Sequence, residues 1–161
     1  MKRLLVFATV VALSLVCSGL LLAQSNTQVG TWKLDLAKSK YSSAGLAPKS
    51  VTGTVEAQGD GIKVTVDGVA ADGSPIAYSY MTNYDGKDSP ISGVGAPGGE
   101  DTIAGKRIDA NTTTSTGKKA GKVVGTSRFV VSKDGKVTTI TSKGTDAKGQ
   151  PTSSTTVWEK Q

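Results

Sequence analysis

The 161-residue chain has no histidine and a single cysteine, Cys17, and these two scarcities exclude more chemistry than any motif supplies. Imidazole is the usual general base near neutral pH and the commonest transition-metal ligand. Without it, and with the one thiol inside an apolar N-terminal stretch, zinc, copper, haem-thiolate and Cys-His nucleophilic sites lack a ligand set. A Ser-His-Asp triad is impossible, and no Gly-x-Ser-x-Gly elbow exists. Carboxylate pairs remain, Asp85 with Asp88 and Glu100 with Asp101, and such pairs can do acid–base work. The glycines and prolines beside them assign them to turns and surface instead. Gly93-Val94-Gly95-Ala96-Pro97-Gly98 matches a dinucleotide-binding pattern as text, but Pro97-Gly98-Gly99 opens no helix on which a phosphate could sit. Gly99 to Lys106 misses a P-loop by one position, with Arg107 where a Ser or Thr is needed. The Asp-Gly turns do not alternate carboxylates as a calcium loop does. The expectation is a non-catalytic chain without metal or cofactor.

What the chain offers a ligand is aromatic. Tyr78, Tyr80 and Tyr84 form one group and Phe129 stands in a later segment. If Tyr78 and Tyr80 face inward they make an apolar wall ending in hydroxyls, a common pocket composition; the alternative is plain core packing or a cross-strand aromatic ladder. Phe129 carries the same two readings, with Val123, Ser127 and Val131 on its face. Arg107 and Arg128 are the only guanidinium donors beyond the N-terminal stretch, and so the candidate clamps for an anionic ligand group.

Positioning these residues falls to strands. Ile62, Val64 and Val66 alternate with Lys63, Thr65 and Asp67, the period-two pattern of a half-buried strand. Val51 to Ala57 and Ile76 to Tyr80 repeat it, separated by Gly59-Asp60-Gly61, Asp72-Gly73 and Asp85-Gly86, which supply hairpin turns. Further strands are expected at 101–108, 112–116, 122–132, 136–145 and 152–160, for eight to ten in all. One or two helical turns are expected at Leu36 to Ser42, and a flexible loop at Ser92 to Gly99. The first and last segments each carry a tryptophan, in Gly30-Thr31-Trp32-Lys33-Leu34 and Val157-Trp158-Glu159-Lys160. Pairing these ends would close the sheet and remove its edges. The expected fold is therefore all-β, an up-and-down antiparallel barrel with a β-sandwich as the alternative.

Gly30-Thr31-Trp32 resembles the opening motif of the lipocalin and fatty-acid-binding superfamily, and Val157-Trp158-Glu159-Lys160 is similar to the closing strand of intracellular lipid-binding barrels. With Lys38-Ser39-Lys40-Tyr41, the opening also resembles a group of small exported bacterial proteins of lipocalin-like type. The resemblance covers Gly30 to Gln161 and implies a barrel whose Trp32 and Trp158 pack at a closed end, with Gly30 at the closure and a small apolar ligand in the lumen. The chain departs from that pattern at Thr156, two residues before Trp158, where lipid-binding barrels often carry an arginine for a carboxylate.

Lys2 and Arg3 followed by an apolar run to Ala23 read as a secretory signal peptide cleaved after Ala23, although Leu21 is not the small residue favoured upstream of a cut. An uncleaved membrane anchor stays open as the alternative, while Ser14-Leu15-Val16 argues against lipidation of Cys17. The exported remainder, residues 24–161, is one domain, stabilised by sheet pairing and burial without a disulfide. The leader takes two of 19 basic residues, leaving 17 against 13 acidic ones. That balance favours solubility and points to no nucleic-acid partner; the oligomeric state is left open. Two functions follow from the fold: a periplasmic or secreted carrier of a small hydrophobic molecule, or a structural or protein-interaction domain of the cell envelope with a filled interior.

Overall fold

The structure, a computed structural model, describes residues 26–146 and 148–161. The apolar leader of residues 1–23, with Leu21, Cys17 and the cleavage position, lies outside them. Ten strands follow one another: β1 (Gly30–Tyr41), β2 (Ser50–Gln58), β3 (Gly61–Val69), β4 (Pro75–Thr82), β5 (Asp85–Val94), β6 (Thr102–Arg107), β7 (Thr112–Lys119), β8 (Lys122–Val131), β9 (Val137–Thr145) and β10 (Pro151–Lys160). Each pairs antiparallel with its neighbours in sequence, and β1 pairs with β10, so the sheet is a closed up-and-down barrel and not a sandwich. Closure leaves no unpaired edge for another chain to extend.

The alternation read from the sequence is the inside-outside alternation of the barrel. Val64 sits between Val55 on β2 and Tyr80 on β4, and Val66 between Gly53 and Tyr78. Leu34, Val51, Ile62, Val64 and Val66 form the buried apolar cluster, with Tyr78, Tyr80 and Trp158 packed against it. The intervening Lys63, Thr65 and Asp67 point outward.

The first and last strands meet at the base. Trp32 lies opposite Lys160 and Leu34 opposite Trp158, and Lys160 Nζ stands 5.1 Å from the centre of the Trp32 ring, in cation–π range. Gly30 has φ 139°, and a side chain there would collide with that of Lys160. Glycine is what lets the first strand enter beside the last. Outside the same seam, Lys38 bridges Asp35 at 2.9 Å and Glu159 at 2.6 Å.

Four local expectations are corrected. Residues 36–41 continue β1, and the helical turn sits later, as a short 3₁₀ turn at Ala44–Leu46. The strand survives through an irregularity in which the register jumps from Asp35–Val157 to Lys40–Thr155. Ser39 fills the gap, its hydroxyl donating to the Asp35 carbonyl at 2.6 Å and accepting from the Val157 amide at 3.0 Å. The expected Ser92–Gly99 loop is strand to Val94 and a 3₁₀ turn at Pro97–Gly99. The β4–β5 turn falls at Asn83 and Tyr84, two residues before Asp85-Gly86, with Tyr84 at φ 58°, while Gly86 keeps the positive φ expected of it, 78°. Finally, a bulge after Gly117 turns Val123 to solvent, where it is 59% exposed; Val123 and Phe129 therefore do not share a face.

Candidate binding cavity

The barrel encloses a cavity of about 670 Å³, within the range of small-molecule sites. Its base is sealed by Trp32 and Ile62, both buried, and by Gln28, which the chain carries beneath the barrel just before β1. Trp32 Nε1 donates to the Gln28 carbonyl at 2.7 Å, Gln28 Nε2 donates to Thr113 Oγ1 on β7 at 3.1 Å, and the Tyr84 hydroxyl donates to Gln28 Oε1. Gln28 thereby ties Trp32 on β1, through its backbone carbonyl, to Thr113 on β7 and to Tyr84, through its side chain. Tyr84 takes a left-handed backbone conformation that bulky residues rarely adopt, and that conformation serves this plug. Its hydroxyl pKa is pushed up to about 12 by burial, against the pull of the nearby guanidinium of Arg107.

Two unlike walls rise from the base. Strands β2 to β4 present Val51, Val55, Val64, Val66, Ile76 and the two tyrosines Tyr78 and Tyr80. Burial holds both phenols well above their usual pKa, so they enter the cavity as neutral hydroxyls. Strands β7 to β10 present small and hydroxyl-bearing residues instead, among them Ser115, Ser127, Ser142, Ser154 and Thr156, interrupted by Phe129 and Ile140. Ser127 and Ser142 satisfy one another at 2.8 Å. Thr156 accepts the Trp158 indole N–H at 2.9 Å, so the position where a carboxylate-binding arginine would stand instead orients a tryptophan.

The mouth lies at the opposite end, between the Ala44–Leu46 turn, the β3–β4 turn and the Pro97–Gly99 turn. There Glu100 turns inward over β7 and β8 and lines the cavity. Loss of water alone pushes its carboxyl up to about 7.

The sequence-derived candidates divide cleanly. Tyr78, Tyr80 and Phe129 line one cavity, and Trp32 and Trp158 border it. Arg107 does not reach it: its guanidinium lies 4.5 Å over the Tyr84 ring, outside the base. Arg128 alternates with the inward Ser127 and Phe129 and is exposed on the outer face, so neither arginine is placed to clamp a ligand in the lumen. Glu100, read from its Gly-rich setting as a surface residue, is the polar group the sequence reading missed. A signal existed in Gly117 and Gly125, but only their register as cross-strand partners shows that they clear room for one side chain.

No protein-family model matches the sequence, and neither does any curated protein. Among solved structures, the chain is similar to the zebrafish ileal bile acid-binding protein complexed with cholic acid, with a TM-score of 0.50 and 13% identity over 84% of this chain and 99% of that one. Lobster apocrustacyanin A1 is also similar, at a TM-score of 0.44 and 13% identity, covering 85% of this chain and 62% of that one. At such identity the likeness is one of fold alone, a closed antiparallel barrel.

Proposed function

We propose that this protein is an exported, non-catalytic carrier that holds one small hydrophobic molecule inside the barrel. The observation that carries the reading is the cavity of about 670 Å³, closed by tryptophan at one end, open at the other and walled by Tyr78, Tyr80 and Phe129. Burial of an apolar body against such a wall supplies about 25 cal/mol per Å² removed from water. A barrel of the same fold in the zebrafish protein is complexed with cholic acid. The apolar leader with Lys2 and Arg3 supports export to the periplasm or beyond, and the lack of histidine supports a role without catalysis. The alternative, an envelope domain with a filled interior, requires a core this barrel does not have.

The test is extraction of the protein, purified from its own source, with organic solvent, followed by mass spectrometry. A stoichiometric apolar compound is expected. An empty extract, together with no saturable uptake of apolar probes, contradicts the proposal.

A further inference from the structure

Glu100 is the carboxylate of the cavity with no protein partner. Among the described residues it makes no ion pair and no side-chain hydrogen bond. It rests in a hollow built by glycine: Gly117 on β7 opposes Gly125 on β8, which opposes Gly144 on β9. A methyl group at Gly117 would overlap the Glu100 carboxyl, and one at Gly125 would lie 2.8 Å from Oε1. Even half-burying an ionisable group without a partner is unfavourable, and an arrangement that clears space for one invites a ligand that supplies the partner.

We infer that the ligand is an apolar body bearing a protonated amine, which the Glu100 carboxylate receives above the hollow formed by Gly117 and Gly125. This rests on the carrier reading. The surroundings agree with it from every side. From β4, Tyr78 and Tyr80 lie within electrostatic reach of Glu100, and aromatic rings favour cations. Neither hydroxyl is committed to a protein hydrogen bond among the described residues. From the strands beneath, β7 and β8 offer Gly117, Gly125, Val124 and Ser127, none charged. At the rim, Lys119 reaches past Gly99 and Lys143 also borders the mouth, yet neither comes within ion-pair distance of Glu100. Asp146 is already occupied by the amides of Lys148 at 2.8 Å and Gln150 at 2.9 Å. An amine nitrogen at Glu100 forms a charge-assisted hydrogen bond in a poorly solvated site, whereas a carboxylate headgroup there meets like charge.

The test is displacement of a bound apolar dye from the full chain by three probes of one length, dodecylamine, dodecanol and dodecanoic acid, below their micellar concentrations. At pH 8 dodecylamine is expected to bind at least tenfold tighter than dodecanoic acid. The preference should shrink as the pH falls from 8 to 5.5, because Glu100 gains a proton near pH 7 while the amine stays charged. Glu100→Gln should abolish the preference; if that variant does not fold, the pH series on the wild-type protein decides. Equal or tighter binding of the acid, a preference independent of pH, or one that survives Glu100→Gln overturns the inference while leaving the carrier reading intact. Exclusion of the dye itself overturns the carrier reading, and this inference falls with it.

Discussion

The two walls of the barrel obey the same strand geometry and do opposite things with it. On β2 to β4 most inward positions are aliphatic or aromatic, and these join Leu34 in one buried cluster. On β7 to β10 most inward positions carry a hydroxyl or no side chain at all; Ser127 pairs with Ser142, and Thr156 accepts from the Trp158 indole. The first wall holds the fold together through burial. The second contributes backbone pairing but too little side-chain volume to fill the interior, and the cavity is the result. A barrel with two walls of the first kind would be solid.

Substitutions that exchange these roles break the comparison most severely where the apolar wall meets the base. Trp32→Ala removes the buried indole and its bond to Gln28, and should cost about 3–5 kcal/mol in chemical denaturation. Ile62→Ala should cost about 2–4 kcal/mol, whereas Ser142→Ala across the ring should stay within about 1 kcal/mol. Equal losses from Ile62 and Ser142 would show that the walls do not differ in kind.

Filling the open wall sharpens the contrast. Ser127→Phe places a ring in the space facing Tyr78 and Tyr80 and should weaken apolar-dye binding at least tenfold, measured by fluorescence titration, with the folded far-UV spectrum retained. Thr156→Val removes the acceptor of the Trp158 indole and should cost about 1 kcal/mol, read as a lower melting temperature. The smallest effect is that of pH. Glu100 has a folded pKa above its ordinary value of 4.5, so the stability it contributes is full below pH 4.5 and is lost as pH rises through about 7. The melting temperature of the empty protein should therefore fall across that window, and Glu100→Gln should flatten the fall. Asp35, Asp72, Asp85, Asp109 and Asp134 act in the opposite sense: hydrogen bonds to neighbouring side chains and backbone amides hold their carboxyls below the usual value, and the stability they add is lost only as pH falls below about 3.8.

The apolar wall was legible in the sequence because period-two alternation in Ile62, Val64 and Val66 reports one face directly, and Tyr78 and Tyr80 inherit theirs from the same pattern. The paired tryptophan ends gave the closure for a similar reason. What escaped was whatever depends on register. Val123 shares parity with Phe129, yet the bulge after Gly117 turns it to solvent. Leu36 to Ser42 has a local signal for a turn, and Asp35 Oδ1 does accept the Lys38 amide at 3.1 Å, but pairing with β10 holds the segment as strand. Arg128 lost its role in the lumen to simple alternation with Ser127 and Phe129. Glu100 was hidden most deeply, since no local pattern links it to Gly117 and Gly125, respectively 17 and 25 residues away.

The most direct measurement uses Trp158, which borders the cavity, as an energy donor to an apolar dye whose absorption overlaps indole emission. Saturable, one-to-one transfer is expected, persisting in Trp32→Phe and lost when Ser127→Phe fills the lumen. Transfer that never saturates, or that is unchanged by Ser127→Phe, would place the dye outside the barrel and contradict an open, ligand-holding interior.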